Sequence, residues 1–126
     1  MITVLVFGTF DKLHPGHRWF LSEAKKHGDR LVVVVARDHN VDKVKGHRPT
    51  QSEAQRLEQI QAVPEVDEAR LGLDDYAKKE EIIAEIKPNV ICLGYDQAPK
   101  FQSPDPTVQV IRLEAFHPEI YKSSKL

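Results

Sequence analysis

Several features are scarce in this sequence, and each scarcity excludes a class of protein. The single cysteine, Cys92, excludes an internal disulfide bond and fits a reducing compartment. No apolar run approaches transmembrane length, and the N-terminus has no basic region of the kind that opens a signal peptide. The formal net charge of −1 gives no electrostatic reason to expect nucleic acid as a partner. We therefore expect a cytoplasmic protein that binds neither nucleic acid nor a membrane.

The composition that remains is that of an ordinary globular protein. The chain has 126 residues, of which 40% are hydrophobic and 29% are charged. A chain of this length can bury one substantial core. Because no linker, internal repeat or low-complexity segment interrupts it, we expect a single domain over residues 1–126.

Apolar runs alternate with segments of helical periodicity along the whole chain. The predicted strands are residues 2–7, 31–36, 66–71, 90–93 and 108–113. The predicted helices are residues 15–26, a segment from a capping box at Thr50–Glu53 to Val63, and residues 75–86. Alternating strands and helices favour an α/β fold, a Rossmann-like open parallel five-stranded sheet with helices on both faces.

The stretch GTFDKLHPGH, residues 8–17, joins the first predicted strand to the first predicted helix. Gly8 permits a turn and a close approach of the backbone to a ligand, and Pro15 suits the first helical position. His14 and His17 are three residues apart, so both can face one point beside the helix start. Since a helix N-terminus attracts anions, the stretch predicts a phosphate site. The alternative is a helix start with two solvated histidines.

This stretch resembles the nucleotidyltransferase (cytidylyltransferase-like) family, in which Gly-Thr-Phe-Asp and His-x-Gly-His follow the first strand. The resemblance implies an enzyme that joins a phosphorylated acceptor to the nucleoside monophosphate of a nucleoside triphosphate and releases pyrophosphate. A zinc site is disfavoured because no cysteine or histidine cluster elsewhere supplies the missing ligands, so we predict no metal-binding residues. A divalent cation, most simply Mg²⁺, would accompany the triphosphate, and no prosthetic group is expected. Family members are commonly dimers, so a homodimer is possible.

Three further segments resemble the archaeal-type FAD synthase branch of that family. They are LVVVVARD at 31–38, VKGHRP at 44–49 and IKPNVICLGYDQ at 86–97. This branch adenylylates FMN, which favours ATP and FMN as substrates. The next branch is glycerol-3-phosphate cytidylyltransferase, which uses CTP and shares the GTFD and HxGH patterns. A nucleotide-binding sensor without turnover is the alternative that is not an enzyme.

Carried over position by position, the resemblance implies three groups of site residues. The catalytic group is His14, His17 and Lys45. The nucleotide-binding group is Gly8, Thr9, Phe10, His14, His17, Asp96, Arg112, Ser123 and Ser124. The group predicted to bind the acceptor phosphate contains Lys43 and Lys45 from the resemblance, with Asp11, Arg48 and Arg56 added on residue chemistry.

Residue chemistry alone leaves alternatives open for several of these side chains. The basic residues of 43–48 suit a triphosphate, but charge clusters are often simply solvated. Arg56 fits surface ion pairing and phosphate contact equally well. Asp96 follows a predicted strand, where it can bind ribose hydroxyls or form an Asx-turn. Asp11 either orients a histidine, binds metal through water or is a turn residue.

Overall fold

A computed structural model describes most of the chain. It covers residues 1–13, 15–38, 41–42, 46–47, 49–72, 79–93 and 107–113. Within these ranges, no helix has the length and apolar character needed to cross a bilayer.

The secondary structure follows the predicted alternation. The strands are β1 (Thr3–Gly8), β2 (Arg30–Val35), β3 (Glu68–Leu71), β4 (Val90–Leu93) and β5 (Gln109–Arg112). The helices between them are α1 (Pro15–Lys25), α2 (Glu53–Gln61) and α3 (Lys79–Ile86). Residues 75–78, the start of the last predicted helix, lie outside the described ranges.

All five strands form one parallel sheet in the order β3-β2-β1-β4-β5. The chain runs outward from β1 to β3 and then returns to place β4 on the other side of β1. Strand order therefore reverses between β1 and β4, and ligands of open α/β sheets bind beyond the carboxyl ends of the strands at such a point. The predicted parallel five-stranded fold is confirmed, and it places the turn after β1 at the reversal.

Helices cover both faces of the sheet, as predicted. Val4 belongs to a buried cluster that includes Ile60 of α2, whereas its neighbour Leu5 belongs to a second cluster that includes Ile82 of α3. Leu21 places α1 in the first cluster. Because side chains alternate between the two faces, every residue from 31 to 35 in β2 is buried. This explains its uninterrupted apolar sequence.

The N-terminus of α2 is capped at a different residue from the one predicted. The Ser52 side-chain oxygen accepts the Gln55 N–H at 3.2 Å, and Gln55 Oε1 accepts the Ser52 N–H at 3.0 Å. The capping box therefore begins at Ser52 and not at Thr50. Glu53, predicted to complete the box, instead accepts the N–H of Asp38 at 2.9 Å.

An ion pair stabilises the sheet at the amino ends of its strands, the end opposite the turn that follows β1. The Asp67 carboxylate accepts a hydrogen bond from the Lys25 ammonium group and another from the Leu31 N–H at 2.7 Å. These two contacts, with the lysine contributing most, lower the pKa of Asp67 below its ordinary value. Since the folded pKa is the lower one, this carboxylate stabilises the fold above about pH 4 and ceases to do so as the pH falls through the folded pKa.

Asp67→Asn should accordingly reduce stability at pH 7, and the difference from the unchanged protein should shrink below about pH 4. The asparagine oxygen can still accept the Leu31 N–H, so the variant removes chiefly the charge. Because the side chain is 40% exposed, we expect a loss of at most about 1 kcal/mol. Urea denaturation at pH 7 and pH 3 measures the effect, with Glu58→Gln on the exposed side of α2 as a charge control. A loss of equal size at both pH values would contradict the assignment.

Candidate functional site

The turn that follows β1 has an unusual backbone. Phe10 has a φ of 53° and Lys12 a φ of 51°, so both adopt the left-handed conformation without being glycine. Each such residue costs on the order of 1–3 kcal/mol and persists only where surrounding contacts over-determine it. Strain of this kind clusters at functional sites, and this turn occupies the predicted site.

Three residues of the GTFDKLHPGH stretch pack together at this turn. The Phe10 ring, which is only 5% exposed, lies where a side chain on Gly8 would be. The rings of Phe10 and His17 meet edge to face, with centroids 5.5 Å apart and planes at 76°. Phe10 therefore fixes one side of the His17 imidazole, and the absence of a side chain at Gly8 makes room for it.

Gly8→Ala should disrupt this packing. A Cβ atom on Gly8 would lie 2.6 Å from Cε2 and Cζ of Phe10. The ring would have to move, at a cost of about 1–3 kcal/mol in the free energy of unfolding, and it would leave His17. Urea denaturation measures the first effect, and the NMR shifts of the His17 ring protons measure the second. Gly72→Ala is the matched control, because its Cβ would meet nothing nearer than 3.5 Å. Equal behaviour of the two variants would exclude the packing role.

Asp11 is bound to the backbone that leads into α2. Its Oδ2 accepts the Thr50 N–H at 2.8 Å and its Oδ1 accepts the Gln51 N–H at 2.9 Å. Partial burial alone would raise the pKa of Asp11, but these two N–H groups and the charge of Arg56 lower it below its ordinary value. The carboxylate is thus held ionised by the protein itself.

Arg56 lies in α2 and is completely buried. Its Nε donates to the Gln51 carbonyl at 3.1 Å, its Nη1 to the Thr9 carbonyl at 2.8 Å, and its Nη2 to Asp38 Oδ1 at 2.7 Å. Neither interpretation from sequence describes this arrangement, since the ion pair is buried and its donors bind protein oxygens. The guanidinium group joins α2 to the turns that follow β1 and β2.

Arg112 lies at the carboxyl end of β5, the edge strand beyond β4. Its side chain is exposed. Two strand spacings separate β5 from β1, which puts the two strand ends roughly 10 Å apart. The fold therefore places Arg112 on the same edge of the sheet as the turn after β1.

The remaining predicted site residues lie outside the described ranges. They are His14, Lys43, Lys45, Arg48, Asp96, Ser123 and Ser124. In the described part of the chain, no group of three or more His, Cys, Asp or Glu side chains is arranged to hold a metal ion.

Two residues that sequence reasoning did not assign complete the contacts between the strand ends and α2. Asp38, after β2, pairs with Arg56. Arg37 donates to the Gly72 carbonyl at 2.6 Å and pairs with Glu53 at 3.3 Å. A partial signal was available for Asp38, because it lies shortly after the buried strand β2, at the edge of the sheet where ligands of such folds bind. Its partner could not be read from the sequence, since 18 residues separate the two.

Comparison with known proteins gives three results. A family model described as cytidylyltransferase-like matches residues 5–121. A protein named FAD synthase from Aciduliprofundum boonei is 46% identical over 97 residues, which are 77% of this chain and 63% of that protein. The chain thus spans less than two thirds of that relative's length. A crystal structure titled as the lipopolysaccharide core biosynthesis protein from Thermoplasma volcanium GSS1 superposes with a TM-score of 0.80 at 39% identity, covering 93% of this chain and 99% of that one.

Proposed function

Since this chain belongs to the cytidylyltransferase-like family, we propose that it transfers the AMP portion of ATP to FMN, forming FAD and pyrophosphate. The observation that carries this proposal is the 46% identity to a protein named FAD synthase. The VARD and GYDQ segments support the same choice of substrates.

The reaction needs no covalent intermediate on the protein. An oxygen of the FMN phosphate attacks the α-phosphorus of ATP in line, forming a new P–O bond. The bond from that phosphorus to the bridging α–β oxygen breaks, and the electron pair leaves with pyrophosphate. Cys92 takes no part, because burial raises the pKa of its thiol to about 11 and its side chain is inaccessible in β4. Catalysis then depends on positioning and on neutralising phosphoryl charge.

The turn after β1 and the start of α1 suit that task. The N-terminal end of α1 carries the positive end of the helix dipole, which stabilises phosphate oxygens. His17, in the first turn of α1 and steadied by Phe10, serves in the proposal as a hydrogen-bond donor to the charge that develops on the reacting phosphate. Mg²⁺ enters as the complex of ATP, bound mainly by phosphate oxygens.

Arg112 and several residues beyond the described ranges complete the proposed site. His14 and Lys45 act with His17 on the reacting phosphates, and the basic side chains of 43–48 close over them. Asp96 binds the ribose. Arg112 and the pair Ser123–Ser124 hold the departing pyrophosphate. The cytoplasmic location expected from the sequence, and the homodimer that the family resemblance makes possible, belong to the same proposal.

A matched assay of nucleotide and acceptor tests the proposal. The protein is incubated with Mg²⁺ and each combination of ATP or CTP with FMN or glycerol 3-phosphate, and pyrophosphate release is measured. We expect release only with ATP and FMN, accompanied by FAD. Release with CTP and glycerol 3-phosphate alone would replace the flavin assignment with a cytidylyltransferase. Calorimetric binding of ATP without turnover in any combination would favour a nucleotide sensor.

A further inference from the structure

Two residues that the sequence assigns to the acceptor phosphate, Asp11 and Arg56, are hydrogen-bonded to other parts of the protein in the structure. The Arg56 side chain is 0% exposed, which is rare for arginine unless its charge is paired. Each of its three nitrogens donates to a different protein oxygen at 2.7 to 3.1 Å. To reach a phosphate, the guanidinium group would have to leave both the Thr9 carbonyl and Asp38, which would leave a largely buried carboxylate without its partner.

Asp11 is committed to the protein in the same way. Both carboxylate oxygens accept backbone N–H groups, from Thr50 and Gln51. A carboxylate would also repel a phosphate dianion rather than bind it. A second bond joins Gln51 to the same turn, because its side-chain Oε1 accepts the Lys12 N–H at 2.9 Å.

These contacts all act on the strained turn. Residues 9–12 accept one hydrogen bond at Thr9 and two at Asp11 from residues 50–56, and the Lys12 N–H donates a fourth to Gln51 Oε1. Of the two left-handed residues, Phe10 lies between the anchored residues Thr9 and Asp11, and Lys12 is itself anchored. The contacts therefore supply the over-determination that such a backbone requires.

We propose that Asp11, Gln51 and Arg56 form a turn clasp, a set of positioning residues that holds residues 9–12 on α2 so that Phe10 keeps His17 in place. In this arrangement Asp11 and Arg56 do not touch the acceptor phosphate. They act on catalysis through the turn. The effect on turnover rests on the function proposed above, whereas the effect on the turn is independent of it.

Arg56→Lys separates a positioning role from direct phosphate contact, because it keeps the positive charge but has one nitrogen, which cannot occupy the places of the three guanidinium nitrogens that bind three separate oxygens. We expect altered NMR signals for the Lys12 amide and the His17 ring in the ligand-free protein. In the FAD-forming assay we expect kcat to fall about 10- to 100-fold, since a displacement of about 1 Å can have that effect. KM for ATP and for FMN should stay nearly unchanged.

Arg30→Lys is the matched control, because Arg30 forms a partly exposed ion pair with Glu68 at the opposite end of β2. It should leave the His17 signals and kcat unchanged. If Arg56→Lys proves unfolded by circular dichroism, Gln51→Ala takes its place, since it removes only the hydrogen bond to the Lys12 N–H.

A raised KM at constant kcat, with unchanged His17 signals, would show that Arg56 binds phosphate directly and would overturn the proposal. Unchanged signals together with unchanged kinetics would overturn it as well. If the native protein forms no FAD, the proposed function fails, and the ligand-free NMR comparison still decides whether the clasp holds the turn.

Discussion

Replacing His17 with alanine should lower kcat for FAD formation by about 10²- to 10³-fold, the usual effect of losing one donor to transition-state charge. The expected loss is in kcat because the charge on the phosphoryl oxygens grows only as the reaction proceeds. The fold should persist, because His17 is partly exposed in the first turn of α1 and lies outside the buried clusters. Steady-state kinetics with ATP and FMN measure the effect, and circular dichroism confirms that the variant is folded.

His27→Ala provides the control for the loss of a histidine from the same region. His27 is exposed just beyond the other end of α1, so its removal should leave kcat unchanged. A folded His17→Ala protein with native kcat would remove His17 from the mechanism. A raised KM at native kcat would reassign it to substrate binding.

Arg56→Met should destabilise the protein more strongly than the substitutions of Gly8, His17 or Asp67. Methionine fills much of the same buried volume but leaves Asp38 without the Arg56 charge and removes the hydrogen bonds that Arg56 donates to the carbonyls of Thr9 and Gln51. Breaking a buried ion pair on one side typically costs about 3–5 kcal/mol. The Asp38 side chain is 22% exposed, so water can hydrate its carboxylate after the arginine is removed. We therefore expect a loss at the lower end of that range. The midpoint and slope of urea denaturation give the value.

Arg70→Met is the control, because it makes the same substitution at an arginine whose ion pairs are accessible to solvent. Arg70 pairs with Glu68 and Glu85, and about a third of its side chain is exposed. Exposed ion pairs contribute at most about 1 kcal/mol, so this variant should remain close to the native protein. Comparable losses at the two positions would mean that the burial of Arg56 contributes little.

The fold was predictable because local patterns and burial agree. The uninterrupted run in β2 requires apolar neighbours on both faces, and helices on both sides of the sheet supply them. The start of α2 was predictable in kind but not in position. Thr50–Glu53 and Ser52–Gln55 both have the spacing of a capping box, and Thr50 is excluded because its backbone is held by Asp11, 39 residues earlier.

The site was less predictable, because burial decides what a charged side chain does. The position of His17 in the first turn of the helix after β1 followed from the local sequence, whereas its role in the site stays a prediction. The contacts of Arg56 did not follow from the local sequence, since an arginine on a helix can equally face solvent, a ligand or the interior. Its orientation depends on Thr9 and Asp38, which come from two other loops and meet only when β1 and β2 pair.

The central position of β1 also determines the order in which the sheet can form. One edge of β1 pairs with β2, which follows after a single helix, so this unit forms through local contacts. The other edge pairs with β4, and the Thr3 N–H binds Asn89 Oδ1 across 86 residues. Contacts of such separation form slowly. During synthesis, the edge of β1 that pairs with β4 therefore stays unpaired until Leu93, the last residue of β4, has emerged from the ribosome. In that interval it is open to pairing with strands of other chains, and the arrival of β4 ends the exposure.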